Sequence, residues 1–197
     1  MADANFPTRW GVFRIMGFEG SFGEDGNAHT ETAVALVMGD VQSKPPLVRI
    51  HSQCLTGDVF DSLRCDCRQQ LEMALDMISS AGAGILIYEQ QEGRGIGLMG
   101  KLRAYELQDS GLDTVEANLK LGFKADHREF MLPGEILRQL KVKAVRLLSN
   151  NPDKVAALER AGVKIAERVP CEAESGTFSE HYMKTKKEKM GHIFKSR

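Results

Sequence analysis

The chain has 197 residues, of which 42% are hydrophobic and 27% are charged, and its net charge at pH 7 is −1. This length and composition are typical of one folded domain over residues 1–197, and the balanced charge argues against a general nucleic-acid-binding protein. The first residues do not resemble a secretory signal. The longest purely apolar run, residues 33–38, is far shorter than the ~20 residues of a membrane helix, so we expect a cytoplasmic protein with reduced thiols and no membrane partner.

Three short runs rich in β-branched and aromatic residues, at 10–18, 32–38 and 47–51, predict an N-terminal strand meander. The glycine-rich, acidic segment between the first two runs, residues 19–31, is typical of an exposed loop. The third predicted strand leads directly into residues 49–70, which hold three of the 4 cysteines.

Cys54, Cys65 and Cys67 form a Cys-x10-Cys-x-Cys pattern. In a reducing compartment this density of cysteine indicates a metal site, and three thiolates suit zinc. Structural zinc sites are closed by four protein ligands, whereas catalytic sites leave one position open. His51 or Cys171 could supply a fourth ligand, so the spacing alone does not decide between a structural and a catalytic zinc site.

The repeat of Leu71, Leu75 and Ile78 predicts a helix that begins near Arg68 and ends at Gly82. The two later cysteines therefore lie just before a helix, whose N-terminal dipole favours thiolates. Three thiolates and one zinc ion carry a net charge of about −1, and nearby arginines are candidates to offset it. The arginines that flank these two cysteines are Arg64 and Arg68.

A strand predicted at 84–88 is followed by a glycine-rich loop at 89–100 and by a helix that ends at Gly111. Backbone N–H groups of such a loop can approach phosphate oxygens, and Arg94 adds a guanidinium suited to bidentate phosphate contact. The loop lacks the Gly-Lys-Ser/Thr ending of a Walker motif. A tight turn without a ligand is the alternative interpretation.

Residues 112–130 are polar and irregular, and their charged cluster Asp126, His127 and Arg128 is by itself typical of a solvated turn. After Pro133 the apolar spacing predicts another helix. These features alone indicate no particular chemistry.

A buried strand at 144–148, a helix with Pro152 at its first position and a second strand at 163–169 predict a βαβ unit. Ser149 and Lys154 lie where open α/β sheets bind anions, although a helix cap and a surface lysine would look the same. The last ~15 residues form a basic tail, expected to be solvated. The element order predicts an α/β fold, with a mixed sheet flanked by helices and an N-terminal strand meander.

The ordered segments RIHSQCLTGDVFDSLRCDC, YEQQEGRGIGL, LGFKADHREF and RLLSNNPDK resemble the GTP cyclohydrolase II family in its stand-alone form, over nearly the whole chain. The resemblance implies zinc-dependent hydrolysis that opens the imidazole ring of GTP, at the first step of riboflavin biosynthesis. The implied products are 2,5-diamino-6-ribosylamino-4(3H)-pyrimidinone 5′-phosphate, formate and diphosphate. It further implies a homodimer.

By this resemblance a catalytic zinc ion is held by Cys54, Cys65 and Cys67 with water as the fourth ligand, and Mg²⁺ accompanies the GTP triphosphate. The implied GTP contacts are Arg49, Ile50, His51, Ser52, Gln53, Gln70, Glu92, Gly93, Arg94, Thr114, Ser149 and Lys154. Many family members have glutamate at the position of Gln53 and threonine at that of Ser149.

The resemblance assigns Asp126 as a proton acceptor, Arg128 as a nucleophile and Tyr105 as an active-site residue. A guanidinium keeps its proton near neutral pH and has no free lone pair, so Arg128 is better suited to stabilising charge on the α-phosphate. Both roles remain open from the sequence.

Two other functions compete with this interpretation. A zinc-stabilised purine-nucleotide-binding module would need a fourth protein ligand and would not open the ring. A zinc hydrolase could also act on a different purine nucleotide. The signature of zinc deaminases, His-x-Glu combined with Pro-Cys-x-x-Cys, is absent, because the sequence has no Pro-Cys-x-x-Cys.

Overall fold

The computed structural model describes residues 2–23, 29–123, 128, 130–173, 187 and 191. Its strands are β1 (Ala2–Thr8), β2 (Gly11–Phe22), β3 (His29–Met38), β4 (Leu47–Ser52), β5 (Gly84–Glu89), β6 (Ala144–Leu148) and β7 (Lys164–Val169). Its helices are α1 (Leu55–Asp58), α2 (Cys67–Ala81), α3 (Gly97–Asp109), α4 (Thr114–Lys120), α5 (Met131–Gln139) and α6 (Pro152–Arg160), and a 3-10 turn covers Glu92–Gly95.

The described strands form one 7-stranded sheet in the order β1-β2-β3-β5-β4-β6-β7. The pairs from β1 to β5 are antiparallel, and those of β4 with β5, β4 with β6 and β6 with β7 are parallel. The predicted α/β fold with a mixed sheet and an N-terminal meander is therefore confirmed. The βαβ unit of β6, α6 and β7 is also confirmed.

The position of β4 differs from a simple meander, because β5 lies between β3 and β4. The chain leaves β4, crosses over through α2 and returns as β5, parallel to β4. Both strands are buried along most of their length, as expected for central parallel strands. Their similar apolar composition gives no signal for their order.

Two polar segments form strands that the sequence does not predict. β1 is an exposed edge strand that pairs with β2 on one side only. Pro7, which has no backbone N–H to donate, is tolerated there because no strand lies on the other side. β2 and β3 extend into the predicted loop, pairing Glu19 with Thr32 and Phe22 with His29. Their polar composition suits a ribbon that faces solvent.

The core lies on both faces of the central strands. On one face Leu47 and Leu86 pack with Ile78 of α2. On the other face Val48 and Ile85 pack with residues of α5 and α6. Successive side chains of a strand point to opposite faces of the sheet, and here each set packs against helices. Both faces of β4 and β5 are therefore covered.

The parallel strands also determine where the main cleft lies. The crossover from β4 leads to β5, whereas that from β6 leads to β7 on the opposite side. The loops after β4 and β6 therefore diverge at the carboxyl edge of the sheet, which is where open α/β sheets bind ligands. No helix in the described part of the chain is both long and apolar enough to cross a membrane.

A buried carboxyl group, Glu89, lies at the end of β5 and is only 1% exposed. Ser52 Oγ donates a hydrogen bond to Glu89 Oε2 at 3.4 Å, and Oε1 has no hydrogen-bond partner among the described residues. Burial raises the pKa of Glu89 to about 7, although the charges of Lys154 and Arg128 oppose the shift; Glu31 reinforces it.

We expect this carboxyl group to make the protein less stable as pH rises from about 4.5 to about 7. In that range the folded protein keeps a proton that the unfolded chain has released, so the stabilisation is complete below the lower value and is lost on passing through the higher one. Glu89→Gln, which is neutral at every pH, should remove a change on the order of 3 kcal/mol. Urea unfolding at about pH 5 and about pH 8 measures it.

Glu19→Gln, at an exposed position of β2, is the matched control and should leave the pH dependence unchanged. Equal pH profiles for wild type and Glu89→Gln would contradict the prediction.

Candidate functional site

Cys54, Cys65 and Cys67 come together between the end of β4 and the start of α2. Their sulfur atoms all lie within 4.8 Å of one another, and those of Cys54 and Cys65 are 3.7 Å apart. Two thiolates at ~2.3 Å from a zinc ion, in tetrahedral geometry, are about 3.8 Å apart. All the cysteines are free thiols. The cluster can therefore hold a metal ion, as the spacing predicts.

Gly57 in α1 lies directly against these sulfur atoms. A Cβ atom added at Gly57 would be 3.0 Å from Cys65 Sγ and 3.1 Å from Cys54 Sγ, closer than side chains normally approach. The glycine thus allows the single turn of α1 to pass against the thiols.

The carboxylate of Asp58, which is buried, fixes the start of this turn. Asp58 accepts hydrogen bonds from the backbone N–H of Cys54 at 3.0 Å, from the Tyr88 hydroxyl at 2.8 Å and from His51 Nε2 at 3.1 Å. Burial lowers the pKa of His51, although Asp58 opposes the shift. The imidazole is therefore engaged as a neutral donor in supporting the cysteine loop.

No fourth His, Cys, Asp or Glu among the described residues joins the three cysteines. His51 is bonded to Asp58, and its ring stacks on Tyr88 with centroids 5.4 Å apart. Cys171 is buried, with its sulfur 3.8 Å from the carbonyl oxygen of Gln70. Neither candidate closes the cluster, which favours an open site over a structural one.

The three thiols perturb one another. Hydrogen bonds from Cys65 and Cys67 lower the pKa of Cys54, and the ammonium of Lys101 lowers it further. The same contact with Cys54 raises the pKa of Cys65 to about 11, and a hydrogen bond with Cys54 also raises the pKa of Cys67. Without a metal the cluster thus favours one thiolate, and a bound cation would favour three.

Lys101 of α3 forms a buried ion pair with Glu92 beside the cluster. Its Nζ is 2.8 Å from Glu92 Oε1 and 3.0 Å from Cys54 Sγ. Burial opposes its charge, but Cys54 and Glu92 outweigh this effect and raise the pKa of Lys101. The sequence does not predict this contact. Its only signal is that Lys101 precedes Tyr105 by one helical turn, on the same helix face.

The two arginines that flank the cysteines make other contacts. Arg64 pairs with Asp109 at 2.6 Å, and Arg68 pairs with Glu72 at 2.7 Å. Lys101 instead contacts a sulfur atom directly.

The predicted glycine loop begins with the 3-10 turn and leads into α3. Gly93, Arg94 and Gly95 all have positive φ, at 61°, 62° and 87°. For Arg94 this left-handed backbone costs on the order of 1 kcal/mol or more, and such strain often accompanies functional sites. The tight turn is confirmed, and phosphate binding by the loop stays a prediction.

The cysteines line one part of a cleft of about 1100 Å³, a volume that includes its mouth open to solvent. Besides Arg64 and Lys101, the cleft is lined by four basic residues, namely Arg49, Arg94, Arg128 and Lys154. Arg49 and Lys154 are buried, and each donates a hydrogen bond to a backbone carbonyl, of Leu148 and Ile50 respectively. Such a cluster of cations attracts anions.

The cleft brings together most of the predicted contact residues. Those that line it are Arg49, His51, Ser52, Gln53, Gln70, Glu92, Gly93, Arg94, Thr114, Ser149 and Lys154, together with Tyr105 and Arg128. The side chain of Ile50 instead lies in the core, and its carbonyl oxygen reaches Lys154. Asp126 lies outside the described residues. The individual roles stay predictions.

Several lining residues were not predicted: Gln91, Asn118, Asn150 and Asn151. Asn151 caps α6 by accepting a hydrogen bond from Asp153 N at 2.9 Å, so its sequence signal was that of a helix start. Asn150 bonds to Cys171 through side-chain contacts that no local pattern indicates.

Tyr105 connects α3 to the cysteine cluster. Its hydroxyl is 3.1 Å from Thr56 Oγ1, which is 3.7 Å from Cys54 Sγ. Burial raises the pKa of Tyr105, although Thr56 and Lys101 oppose the shift, so the phenol keeps its proton near neutral pH. It can therefore act as a hydrogen-bond donor in the cleft.

Comparison with known proteins agrees with the resemblance of the motifs. Residues 1–170 match the sequence model of the family described as GTP cyclohydrolase II. The chain is 53% identical over 194 residues to GTP cyclohydrolase-2 of Histophilus somni (strain 2336), an alignment that covers 98% of this chain and 87% of the relative. It is 54% identical over 191 residues to GTP cyclohydrolase-2 of Buchnera aphidicola subsp. Acyrthosiphon pisum (strain APS), covering 96% and 95%. The chain therefore belongs to the GTP cyclohydrolase II family.

Proposed function

We propose that this enzyme hydrolyses GTP, opening the guanine imidazole ring and releasing formate and diphosphate. The remaining product is 2,5-diamino-6-ribosylamino-4(3H)-pyrimidinone 5′-phosphate. The observation that carries the proposal is a single cleft that is lined both by an open three-thiol cluster and by the basic side chains of Arg49, Arg94, Arg128 and Lys154. One part suits a metal that acts on a purine ring, and the other suits a triphosphate.

Cys54, Cys65 and Cys67 would hold a zinc ion, with water in the fourth position. When bound, the ion supplies Lewis-acid chemistry that polarises the ring and activates water for hydrolysis. Tyr105 is placed by Thr56 so that its protonated hydroxyl can donate to oxygen or nitrogen atoms of the ring.

The basic side chains are proposed to bind the triphosphate. Arg49 and Lys154 are held in the wall of the cleft by backbone carbonyls, and Arg94, on the strained loop, lines the same cleft. Mg²⁺ bound to the phosphates would neutralise further charge. The remaining proposed contacts are His51, Ser52, Gln53, Gln70, Glu92, Gly93, Thr114 and Ser149, with the backbone of Ile50.

Arg128 is proposed to stabilise charge on the α-phosphate. Its Nη1 donates to Ser52 Oγ at 3.3 Å, and its guanidinium lies over the Phe130 ring at 5.3 Å. Both contacts direct a fixed positive charge into the cleft shared with Lys154. Asp126, as proton acceptor, is carried over from the family resemblance.

We further propose a cytoplasmic homodimer of single-domain subunits that performs the first step of riboflavin biosynthesis. The family membership supports these points. The competing function, a nucleotide-binding module with a closed zinc site, is disfavoured by the lack of a fourth ligand among the described residues.

Removing zinc should abolish formate release from GTP, and adding zinc back should restore it. The thiol cluster is proposed to activate the ring, whereas the basic residues act on the phosphates, so some diphosphate release should survive chelation. The measurement is the simultaneous assay of formate and diphosphate, with Mg²⁺ present throughout. If zinc-loaded protein releases neither product, the binding-module function replaces the proposal.

Arg128→Lys should retain part of the diphosphate release, because lysine keeps a positive charge near the α-phosphate. Arg128→Met should lose on the order of 100-fold, because the charge is gone. Arg138→Lys, at an exposed ion pair on α5, is the matched control. A covalent guanylyl adduct isolated on Arg128 of the intact enzyme would overturn the electrostatic role.

Gly57→Ala should weaken zinc binding by about tenfold or more, because its Cβ would displace two sulfur atoms from ligand geometry. Zinc affinity is measured by competition with a chromophoric chelator. Gly17→Ala is the control, since its Cβ would meet only Ala2, at 3.9 Å. Unchanged affinity in Gly57→Ala would mean that the cysteines do not hold zinc in this arrangement.

A further inference from the structure

The side chain of Lys101 reaches the thiol cluster and is buried, with only 9% of the residue exposed. Its ammonium lies 3.0 Å from Cys54 Sγ, within reach of an N–H hydrogen bond to sulfur. Burying an ammonium is costly unless its charge is compensated, and an apolar side chain would fill this space at lower cost. The position of the charge therefore calls for a functional explanation.

Glu92 holds this ammonium in place. One of its carboxylate oxygens is 2.8 Å from Lys101 Nζ, and the other accepts a hydrogen bond from Leu55 N at 2.6 Å. The carboxylate thus joins the first residue of α1 to α3, on either side of Cys54. Lys101 cannot turn toward solvent without breaking this pair.

The net charge of the proposed metal centre indicates a role for the ammonium. Three thiolates outweigh the charge of one zinc ion by about one unit, and this excess weakens the pull of the ion on electron pairs. A hydrogen bond from a cation to one thiolate withdraws electron density from the sulfur and offsets the excess. Arg64 and Arg68 are paired with carboxylates elsewhere and do not make this contact.

We propose that Lys101 is a positioning residue for the metal centre: held by Glu92, it donates a hydrogen bond to the Cys54 ligand and keeps the bound ion a strong Lewis acid. This inference rests on the proposed function, since it assumes a metal held by the three thiolates. It assigns Glu92 a second role beside its proposed contact with GTP.

The test replaces zinc by Co²⁺ and records the thiolate-to-cobalt charge-transfer absorption of the intact protein. Lys101→Met should move this band to longer wavelength, because a thiolate that loses a hydrogen bond from a cation gives up electrons more easily. Arg103→Met, which removes a charge from an exposed position of the same helix, should leave the band unchanged. Lys101→Arg should keep the band near its wild-type position, because arginine retains the positive charge and the N–H donors.

Kinetics of the zinc-loaded proteins provide a second readout. The kcat for formate release should fall about tenfold or more in Lys101→Met, with KM for GTP changed much less, because the ammonium acts on the ion. If Lys101→Met does not fold, Lys101→Gln, which keeps an N–H donor without its charge, is compared with Lys101→Arg: the Gln variant should move the band to longer wavelength, and the Arg variant should move it less.

The outcomes separate the inference from the function on which it rests. A wild-type thiolate-to-cobalt band with the same band in the neutral Lys101 variants would overturn the role of Lys101 and leave the proposed function standing. If the wild-type protein forms no thiolate-to-cobalt band, the metal centre itself is wrong, and both proposals fall.

Discussion

The buried carboxylate of Asp58 is the constraint on which the site depends. It joins three elements, because its hydrogen-bond donors are His51 of β4, Tyr88 of β5 and the backbone of Cys54 at the start of α1. Burial raises the pKa of Tyr88, so the phenol stays a donor to this carboxylate. A buried carboxylate with three donors has few alternative arrangements, since losing any donor leaves an acceptor unsatisfied. The turn that carries Cys54 is therefore fixed before any metal is present.

The sequence predicts the parallel half of the fold well, because its strands are short apolar runs and its helices have clear ends. Gly82, for example, ends α2 with φ 69°, a conformation that glycine adopts without strain. The placement of β5 between β3 and β4 could not be predicted, since strand order depends on contacts between distant segments. The strand pairing of residues 19–22 with 29–32 was missed because polar ribbons lack the alternation that marks a half-buried strand.

The candidate site likewise contains residues that the sequence predicts and residues that it does not. The cysteines were predicted because their spacing is itself chemical information, and most residues implied by the family motifs do line one cleft. Asp58 and Lys101 were not predicted, since each looks like an ordinary charged residue of a turn or a helix. Their importance comes from burial and from contacts such as that of Lys101 with Cys54, which are 47 positions apart in the chain. Residues that support a site in this way carry no local pattern.

Opposite charges in the cleft give the proposed substrate one orientation. Three thiolates with one zinc ion remain negative even when Lys101 offsets part of their charge, so a triphosphate is repelled from the cysteines. Arg49, Arg128 and Lys154 line the cleft together with Ser149, the residue after β6, and would attract the triphosphate toward this part of it. With the phosphates bound there, the purine ring would be the part of GTP left to face the cysteines. The same charge distribution that is proposed to bind the nucleotide would thus present its ring to the metal, while the ion pair with Glu92 holds Lys101 against Cys54.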